Sequence, residues 1–175
     1  MPIRLLIEAR PGAGKTTAIG RLAELLRADG VPLSGFLTRE IREGGRRVGF
    51  EIETFAGERG LLAHVDRKGQ PRVGRYGVHL EELERLAIPS LDPSGVVLID
   101  ELGKMELASE RFTEAVRELF DGPAPIVATV HTARHPVTDE LKRRRGVETV
   151  RLTAKNRDAL PEDMAERLNP RPGSG

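Results

Sequence analysis

Residues 8–17, EARPGAGKTT, follow a short apolar run and limit the possible folds of this chain more than any other segment. The run at 3–7 has strand character, and helical spacing begins near Lys15, so the segment is a turn from a strand into a helix. Gly12 and Gly14 let the backbone approach an anion without a Cβ in the way. Successive N–H groups at a helix N-terminus bind anions. The segment therefore predicts a phosphate-binding loop.

Several residue types in this loop have specific expected roles. Lys15 would reach the β- and γ-phosphates of a nucleotide as a catalytic residue, and the Thr16 hydroxyl would coordinate Mg²⁺. Ala9 stands where such loops usually carry their first glycine, a departure that bears on affinity more than on the type of reaction. The predicted nucleotide-binding residues of the loop are Ala9, Arg10, Pro11, Gly12, Ala13, Gly14, Lys15, Thr16 and Thr17.

An acidic pair follows the apolar segment at 96–99. Asp100 would end a buried strand, at the edge where ligands bind in open parallel sheets, and we expect it to hold Mg²⁺ together with Thr16. Glu101 comes next and would polarise an attacking water molecule. The alternative is that Glu101 is an ordinary surface acid. Simple small-molecule kinases often lack such a glutamate, so its presence favours hydrolysis.

Two further positions near the acidic pair each have two interpretations. Lys104, with Glu106, either belongs to the surroundings of the metal and nucleotide or forms a salt-bridged loop. His131 ends the next strand, followed by Thr132, and either senses the γ-phosphate as a catalytic residue or caps the strand end. The residue types alone leave both choices open.

Another group of candidates lies further along the chain. Arg75, in VGRYGV, is either an arginine finger that neutralises charge developing on the transferred phosphate or a structural loop residue. Its neighbour Tyr76 either stacks on a base or packs. Asn156 and Arg157 follow the last strand, close to where a base would lie, but Asn156 is equally suited to cap the final helix.

The spacing of apolar residues predicts an α/β fold. We expect strands at 3–8, 95–100, 125–131 and 147–152, and helices at 14–28, 79–88 and 109–120, with two more starting at Pro136 and near Arg157. A hairpin should pair 34–42 with 47–55 around the turn at 43–46, with two short strands around 60–65 and 72–78. Buried strands between amphipathic helices indicate three layers, with a mostly parallel central sheet and an inserted antiparallel β-hairpin region.

The composition limits the kinds of partner that this chain is expected to bind. The formal net charge of +1 gives no reason to expect a general nucleic-acid or membrane-surface binder. An aromatic content of 3% argues against a stacking platform beside the basic run at 142–146, so nucleic-acid binding is unsupported. The chain has no cysteine, and its apolar runs are too short to span a membrane. We expect a cytoplasmic monomer with one domain over 1–169 and a flexible tail at 170–175.

The motifs RPGAGKTT, GFLTREIREGGRRVGFEI, VGRYGV, IDELGKMEL and LTAKNRDALP resemble the thermophile-type nucleoside-triphosphatase family, whose relatives include the cancer-related nucleoside-triphosphatase. The resemblance covers nearly the whole chain. It implies a P-loop NTPase domain that slowly hydrolyses ribonucleoside triphosphates such as ATP and GTP to diphosphates, with Mg²⁺ and little preference between bases. The family's phosphate motif maps onto 9–16, and its second nucleotide-associated stretch ends at Lys104. The chain departs from the family at Ala9 and at Glu8, where relatives often carry a small hydroxyl residue.

Two other functions are compatible with the same residues. The loop also resembles those of nucleotide and polynucleotide 5′-hydroxyl kinases that use ATP. In such an enzyme Glu101 would act on an acceptor hydroxyl, and the hairpin would form part of an acceptor pocket. A nucleotide-gated binding module would instead bind ATP with negligible turnover. Hydrolysis is the function we expect from the acidic pair.

Overall fold

Residues 2–173, which a computed structural model describes, form nine strands and five α-helices. The strands are β1 (Arg4–Ala9), β2 (Leu33–Glu43), β3 (Arg46–Thr54), β4 (Arg59–His64), β5 (Arg72–Val73), β6 (Tyr76–Val78), β7 (Val96–Asp100), β8 (Ile126–His131) and β9 (Val147–Arg151). The helices are α1 (Lys15–Ala28), α2 (Leu80–Ser90), α3 (Glu110–Asp121), α4 (Pro136–Arg143) and α5 (Leu160–Leu168), and a 3₁₀ helix spans Glu106–Ala108.

All nine strands of the described chain belong to one sheet, in the order β5-β6-β4-β3-β2-β7-β8-β1-β9. The five strands from β2 to β9 pair in parallel. The hairpin consists of β2 and β3, which pair antiparallel. Strands β4, β6 and β5 extend the sheet beyond β3, each in an antiparallel pair. The predicted antiparallel insertion is therefore an extension of the central sheet, which makes the sheet mixed.

Side chains on the central strands alternate between two cores. Val97 and Ile99 of β7 belong to the core on one face, together with residues of α2, α3 and α4. Leu98 of β7 belongs to the core on the other face, as do residues of α1 and α5. Because side chains in a strand point alternately to opposite faces, a strand that is apolar throughout must be covered on both. The predicted three-layer α/β fold is confirmed.

The largest differences from the predicted element boundaries occur at two places. The segment at 72–78 is two strands and not one, because Gly74 and Arg75 form a turn between β5 and β6. The final helix begins at Leu160 and not near Arg157, since residues 154–159 form turns and the helix places a proline in its first turn. Of the predicted tail, residues 170–173 are in neither helix nor strand, whereas 174–175 lie outside the described residues.

Candidate active site

The phosphate loop lies between β1 and α1, at the carboxyl end of the parallel strands. Gly14 is the N-cap of α1, with φ of 96°, a left-handed conformation that favours glycine. The first N–H groups of a helix have no intrahelical acceptor, and Gly14 has no side chain to satisfy them. Thr16 and Thr17 are exposed in this first turn. The loop thus presents backbone donors and hydroxyl groups to the same cleft.

Asp100 lies at the centre of the predicted metal site. The Thr16 hydroxyl donates to its Oδ2 at 2.7 Å, and the Thr129 hydroxyl donates to its Oδ1 at 2.6 Å. The carboxyl group is buried, and that burial raises its pKa even though both hydroxyls oppose the shift. A cation beside Asp100 would offset the cost of burying a carboxylate.

Glu101 points to the phosphate loop. The Lys15 Nζ donates to its Oε2 at 2.7 Å, so the two predicted catalytic residues are brought together. The next residue is fixed to the neighbouring strand, because the Leu102 N–H donates to the Thr129 carbonyl at 2.9 Å. This backbone bond holds the segment after β7 against β8, where His131 also lies.

Glu106 is a buried acid beneath this segment. Its Oε2 accepts the Gly103 N–H at 3.1 Å. Burial, with the charge of Glu101 as the next cause, raises the pKa of Glu106 to about 8. Glu106 is therefore mainly a neutral acid at pH 7. It supports the turn at 101–106 and does not form the predicted loop salt bridge with Lys104.

The cleft above the loop has a volume of about 580 Å³ and is closed on one side by the hairpin. Thr38, Arg39 and Glu40 of β2 line it, with Arg47 and Phe50 of β3. The opposite side consists of loop residues and of Asp100, Glu101 and His131. The inserted strands thus form a wall that faces the phosphate loop.

Arg75, a sequence candidate, does not line this cleft. Its guanidinium donates to the Arg47 carbonyl and lies 3.4 Å, measured from Nε, from the Tyr76 hydroxyl. Tyr76 is buried, and its hydroxyl accepts the Arg47 Nε–H at 2.9 Å. Tyr76 therefore packs beneath the hairpin, which is the second of its two interpretations. Arg75 contacts the residues that hold Arg47.

Arg47 is one of the cleft residues that the sequence pattern does not identify. It lies in the segment GFLTREIREGGRRVGFEI, which carries much of the family resemblance. Its spacing does not distinguish it from Arg42 or Arg46 in the same hairpin. Arg47 is identified only by the three-dimensional structure, because its side chain in β3 contacts Tyr76 in β6.

Other sequence candidates lie at the edges of the site. His131 lines the cleft, and its Nδ1 accepts the Ala133 N–H at 2.8 Å. Lys104 is exposed and lines a second cavity next to the cleft. The Asn156 side chain accepts the Thr153 N–H and donates to the Arg151 carbonyl, so it holds a turn and does not cap α5. Arg157 is exposed outside the cleft.

Glu8, where the family resemblance implies a small hydroxyl residue, is part of the scaffold. Its Oε2 accepts from Lys142 Nζ at 2.6 Å and its Oε1 from Arg151 at 2.8 Å. The Lys142 hydrogen bond is the main reason that the pKa of Glu8 is lowered. Ala9 beside it is buried and pairs in register with His131. The side chains of Glu8 and Ala9 thus both contact packed parts of the structure.

Comparison with known proteins places this chain in a family. A family model described as NTPase matches residues 4–165, which is most of the chain. The chain belongs to this NTPase family. The resemblance seen in the motifs is confirmed, and so is the enzyme class of a nucleoside-triphosphatase.

Relatives of this NTPase match it over nearly their full length. The nucleoside-triphosphatase THEP1 of Thermotoga petrophila is 42% identical, with 93% of this chain and 90% of the relative covered. The human cancer-related nucleoside-triphosphatase is 38% identical, with 94% and 95% covered. The crystal structure of THEP1 from Aquifex aeolicus superposes with a TM-score of 0.84 at 34% identity, covering 95% of this chain and 99% of that one.

One observation bears on the prediction that the apolar runs of this chain are too short to span a membrane. Among residues 2–173, no helix has the length and apolar character needed to cross a bilayer.

Proposed function

We propose that this NTPase hydrolyses nucleoside 5′-triphosphates to diphosphate and phosphate, with Mg²⁺ and with little preference between bases. The observation that carries the proposal is the position of Glu101. Its carboxylate lies at the end of β7, within 2.7 Å of the Lys15 ammonium group, and both residues line the cleft above the phosphate loop. A base and a phosphate-binding cation therefore meet at one point.

Thr16 and Asp100 suit a magnesium ion. Their oxygens are 2.7 Å apart, and hydroxyl and carboxylate oxygens are the donors that this hard cation prefers. Thr129 holds the other carboxylate oxygen and so orients Asp100. When bound, Mg²⁺ would neutralise charge on the β- and γ-phosphates. Thr16 and Asp100 are the residues that would hold it.

Lys15 binds the phosphates and Glu101 acts as the base. A triphosphate engages Lys15 through its β- and γ-phosphates, and the carboxylate of Glu101 is then released from the ion pair. Glu101 accepts a proton from water as the water oxygen bonds to the γ-phosphorus. The bond between that phosphorus and the bridging oxygen breaks, and the diphosphate leaves. General-base catalysis of this kind is worth about 10²- to 10⁴-fold in rate.

Arg47 supplies positive charge on the hairpin side of the cleft. Its Nε–H bonds to Tyr76 and its Nη1 lies 3.2 Å from Glu40 Oε1, so two partners fix the guanidinium. The Tyr76 bond is the main reason that the pKa of Arg47 is raised. A fixed arginine facing the phosphate loop stabilises charge on the transferred phosphoryl group. Arg75 acts through Arg47 as a positioning residue.

Weak base preference is supported by the loop after β9. Asn156 already uses its side-chain oxygen and nitrogen to bind the backbone at Thr153 and Arg151. The amide is therefore occupied in the turn and poorly placed to read the edge of a base. Arg157 is exposed beside it and can stack on any base through its planar guanidinium.

Phosphate release from ATP, GTP, CTP and UTP, with and without Mg²⁺, tests the proposal. We expect release from all four triphosphates at similar rates, dependent on Mg²⁺. Lys15→Ala should abolish release and leave the fold intact, whereas Lys68→Ala, at an exposed position outside the cleft, should change nothing. Undiminished release by Lys15→Ala would overturn the assignment of the loop.

A further inference from the structure

A second cavity, of about 280 Å³, adjoins the phosphate cleft. Four residues line both spaces, and they mark the opening between them: Thr38, Phe50, Glu101 and His131. Glu101 therefore faces the nucleotide cleft on one side and this second cavity on the other. A molecule in the second cavity would reach the carboxylate that the proposed function assigns as the base.

The interior of this cavity is mostly apolar, with the buried acid Glu106 also in its lining. Leu62 and Val73 line it from the antiparallel strands, and Leu102 and Met105 line it from the segment after β7. Phe50 adds an aromatic ring where the cavity meets the cleft. An attacking water molecule requires no apolar chamber, whereas organic ligands bind in pockets with mostly apolar walls and a few polar groups. The lining thus fits an organic molecule with an apolar part.

The rim of the cavity is positively charged. Lys104 and Arg134 line it, and both are exposed. Within residues 2–173 neither has an ion-pair or side-chain hydrogen-bond partner, although most arginines of this chain do. Two unpaired cations at the mouth of an apolar cavity attract an anionic group on the ligand. His135, also in the lining, is occupied, because its Nδ1 accepts the Val137 N–H at 3.2 Å.

We call the space lined by Leu62, Val73, Leu102, Met105, Lys104 and Arg134 the acceptor cavity. We propose that the acceptor cavity binds a nucleoside-sized molecule that carries a hydroxyl and an anionic group. The enzyme transfers the γ-phosphoryl group to that hydroxyl. The inference rests on the proposed function, because it uses the same nucleotide cleft and the same glutamate. It adds an acceptor other than water.

The transfer step balances without a further reactant. The acceptor oxygen forms a bond to the γ-phosphorus, and the bond between that phosphorus and the bridging oxygen breaks. The hydroxyl proton passes to Glu101, and the nucleoside diphosphate leaves. Acceptor and water compete for one base, so a bound acceptor should lower the share of label released as free phosphate.

The test uses ATP labelled in the γ-phosphate and adenosine 3′-monophosphate as the probe, since it has a free 5′-hydroxyl, a base and an anionic group. Adenosine, which lacks the anionic group, is the matched probe. We expect labelled adenosine 3′,5′-bisphosphate with the first probe and at least about tenfold less transfer with adenosine, since adenosine cannot make a charge-assisted contact with Lys104 or Arg134.

Two variants test whether any phosphoryl transfer takes place in the acceptor cavity. Arg134→Ala should lower transfer to adenosine 3′-monophosphate to the level seen with adenosine, and leave phosphate release without a probe unchanged. Arg143→Ala, another exposed arginine nearby in sequence but outside the lining, is its control. Val73→Phe should block transfer by filling the cavity. Arg134 is exposed, so its variant remains informative even if Val73→Phe fails to fold.

The failures of the two proposals are distinguishable. Label found in free phosphate alone, at the same rate with and without probe, would overturn the acceptor cavity and leave hydrolysis standing. Label in neither product would overturn the proposed function as well. Transfer that Arg134→Ala leaves undiminished would overturn the location of the acceptor.

Discussion

Lys15 Nζ lies 2.7 Å from Glu101 Oε2, so the cation of the phosphate loop and the carboxylate at the end of β7 form one ion pair. The lysine side chain is 11% exposed and the glutamate side chain 32%, which places the pair inside the cleft and not on its rim. A triphosphate that engages Lys15 competes with Glu101 for the same ammonium group. In the proposed function, nucleotide binding is therefore linked to the release of Glu101 from this ion pair.

Glu101→Gln separates these two effects. Loss of the base should lower turnover by about 10²- to 10⁴-fold. Loss of the ion pair should leave triphosphate affinity unchanged or raise it by about two- to fivefold, since a partly exposed pair is worth at most about 1 kcal/mol. Equilibrium binding of a fluorescent triphosphate, measured beside phosphate release, checks both. Parental turnover would place the base elsewhere, with His131 as the next candidate. Glu166→Gln, at an exposed position of α5, serves as the control.

Thr129→Val tests how Asp100 is held. The variant removes the hydroxyl that donates to Asp100 Oδ1 at 2.6 Å and leaves a buried oxygen without its donor. We expect the Mg²⁺ concentration for half-maximal phosphate release to rise about 10- to 100-fold, as is typical for residues that orient metal ligands. Thr113→Val is the matched control, because its buried hydroxyl bonds to the Ser109 carbonyl in α3. It should lower stability without changing the Mg²⁺ requirement.

The sequence predicted the parts of this site that depend on local order along the chain. The loop at 9–17 and the pair Asp100–Glu101 each follow a buried strand, and parallel strands bring their carboxyl ends to one edge. The wall formed by the hairpin could not be predicted in this way. Arg47 is held at the cleft by a side-chain hydrogen bond to Tyr76 of β6, and the spacing of residues within β3 does not report a contact between two strands. The motif VGRYGV makes Arg75 a candidate arginine finger, but the motif does not show that the residue lies outside the cleft.

Arg47 and Arg75 differ in their expected kinetics. Arg47→Ala should lower kcat by about 10²-fold or more with little change in KM, because the charge acts on the transition state. Arg75→Ala should lower kcat less, and Arg75→Lys should recover part of that loss, because Arg75 acts by holding Arg47. Steady-state kinetics with Mg²⁺ and ATP provide the measurement. Arg46→Ala, at the exposed neighbouring position, is the control, and a normal kcat for Arg47→Ala would refute its role.

Glu8→Gln should destabilise the fold. The Glu8 side chain is 12% exposed and binds Lys142 and Arg151, so its loss leaves two cations with weaker partners at the junction of β1, β9 and α4. We expect a loss of about 1–3 kcal/mol in the free energy of unfolding at pH 7. The folded pKa of Glu8 is lowered, so this contribution exists above the unfolded pKa and disappears as pH falls through the folded pKa. Urea unfolding at pH 7 and pH 3 measures the difference.

Glu148→Gln is the control for that experiment. Glu148 pairs with Arg167, and both side chains are about half exposed. Such exposed pairs contribute about 0–1 kcal/mol. A loss for Glu8→Gln no larger than for Glu148→Gln would refute the scaffold role of Glu8.

Glu106→Gln should change how stability depends on pH. The folded pKa of Glu106 is raised from 4.5 to about 8, because the group is buried and lies near the charge of Glu101. Below pH 4.5 Glu106 is neutral in both folded and unfolded chains, so its protonation favours the native state fully there. Between pH 4.5 and 8 the unfolded chain releases this proton and the folded chain keeps it, so the parent loses stability relative to the glutamine variant. The slope is at most about 1.4 kcal/mol per pH unit, and the loss levels off above pH 8. Urea unfolding of both proteins from pH 4 to pH 9 measures this difference, and parallel curves would show that Glu106 is not held as a neutral acid.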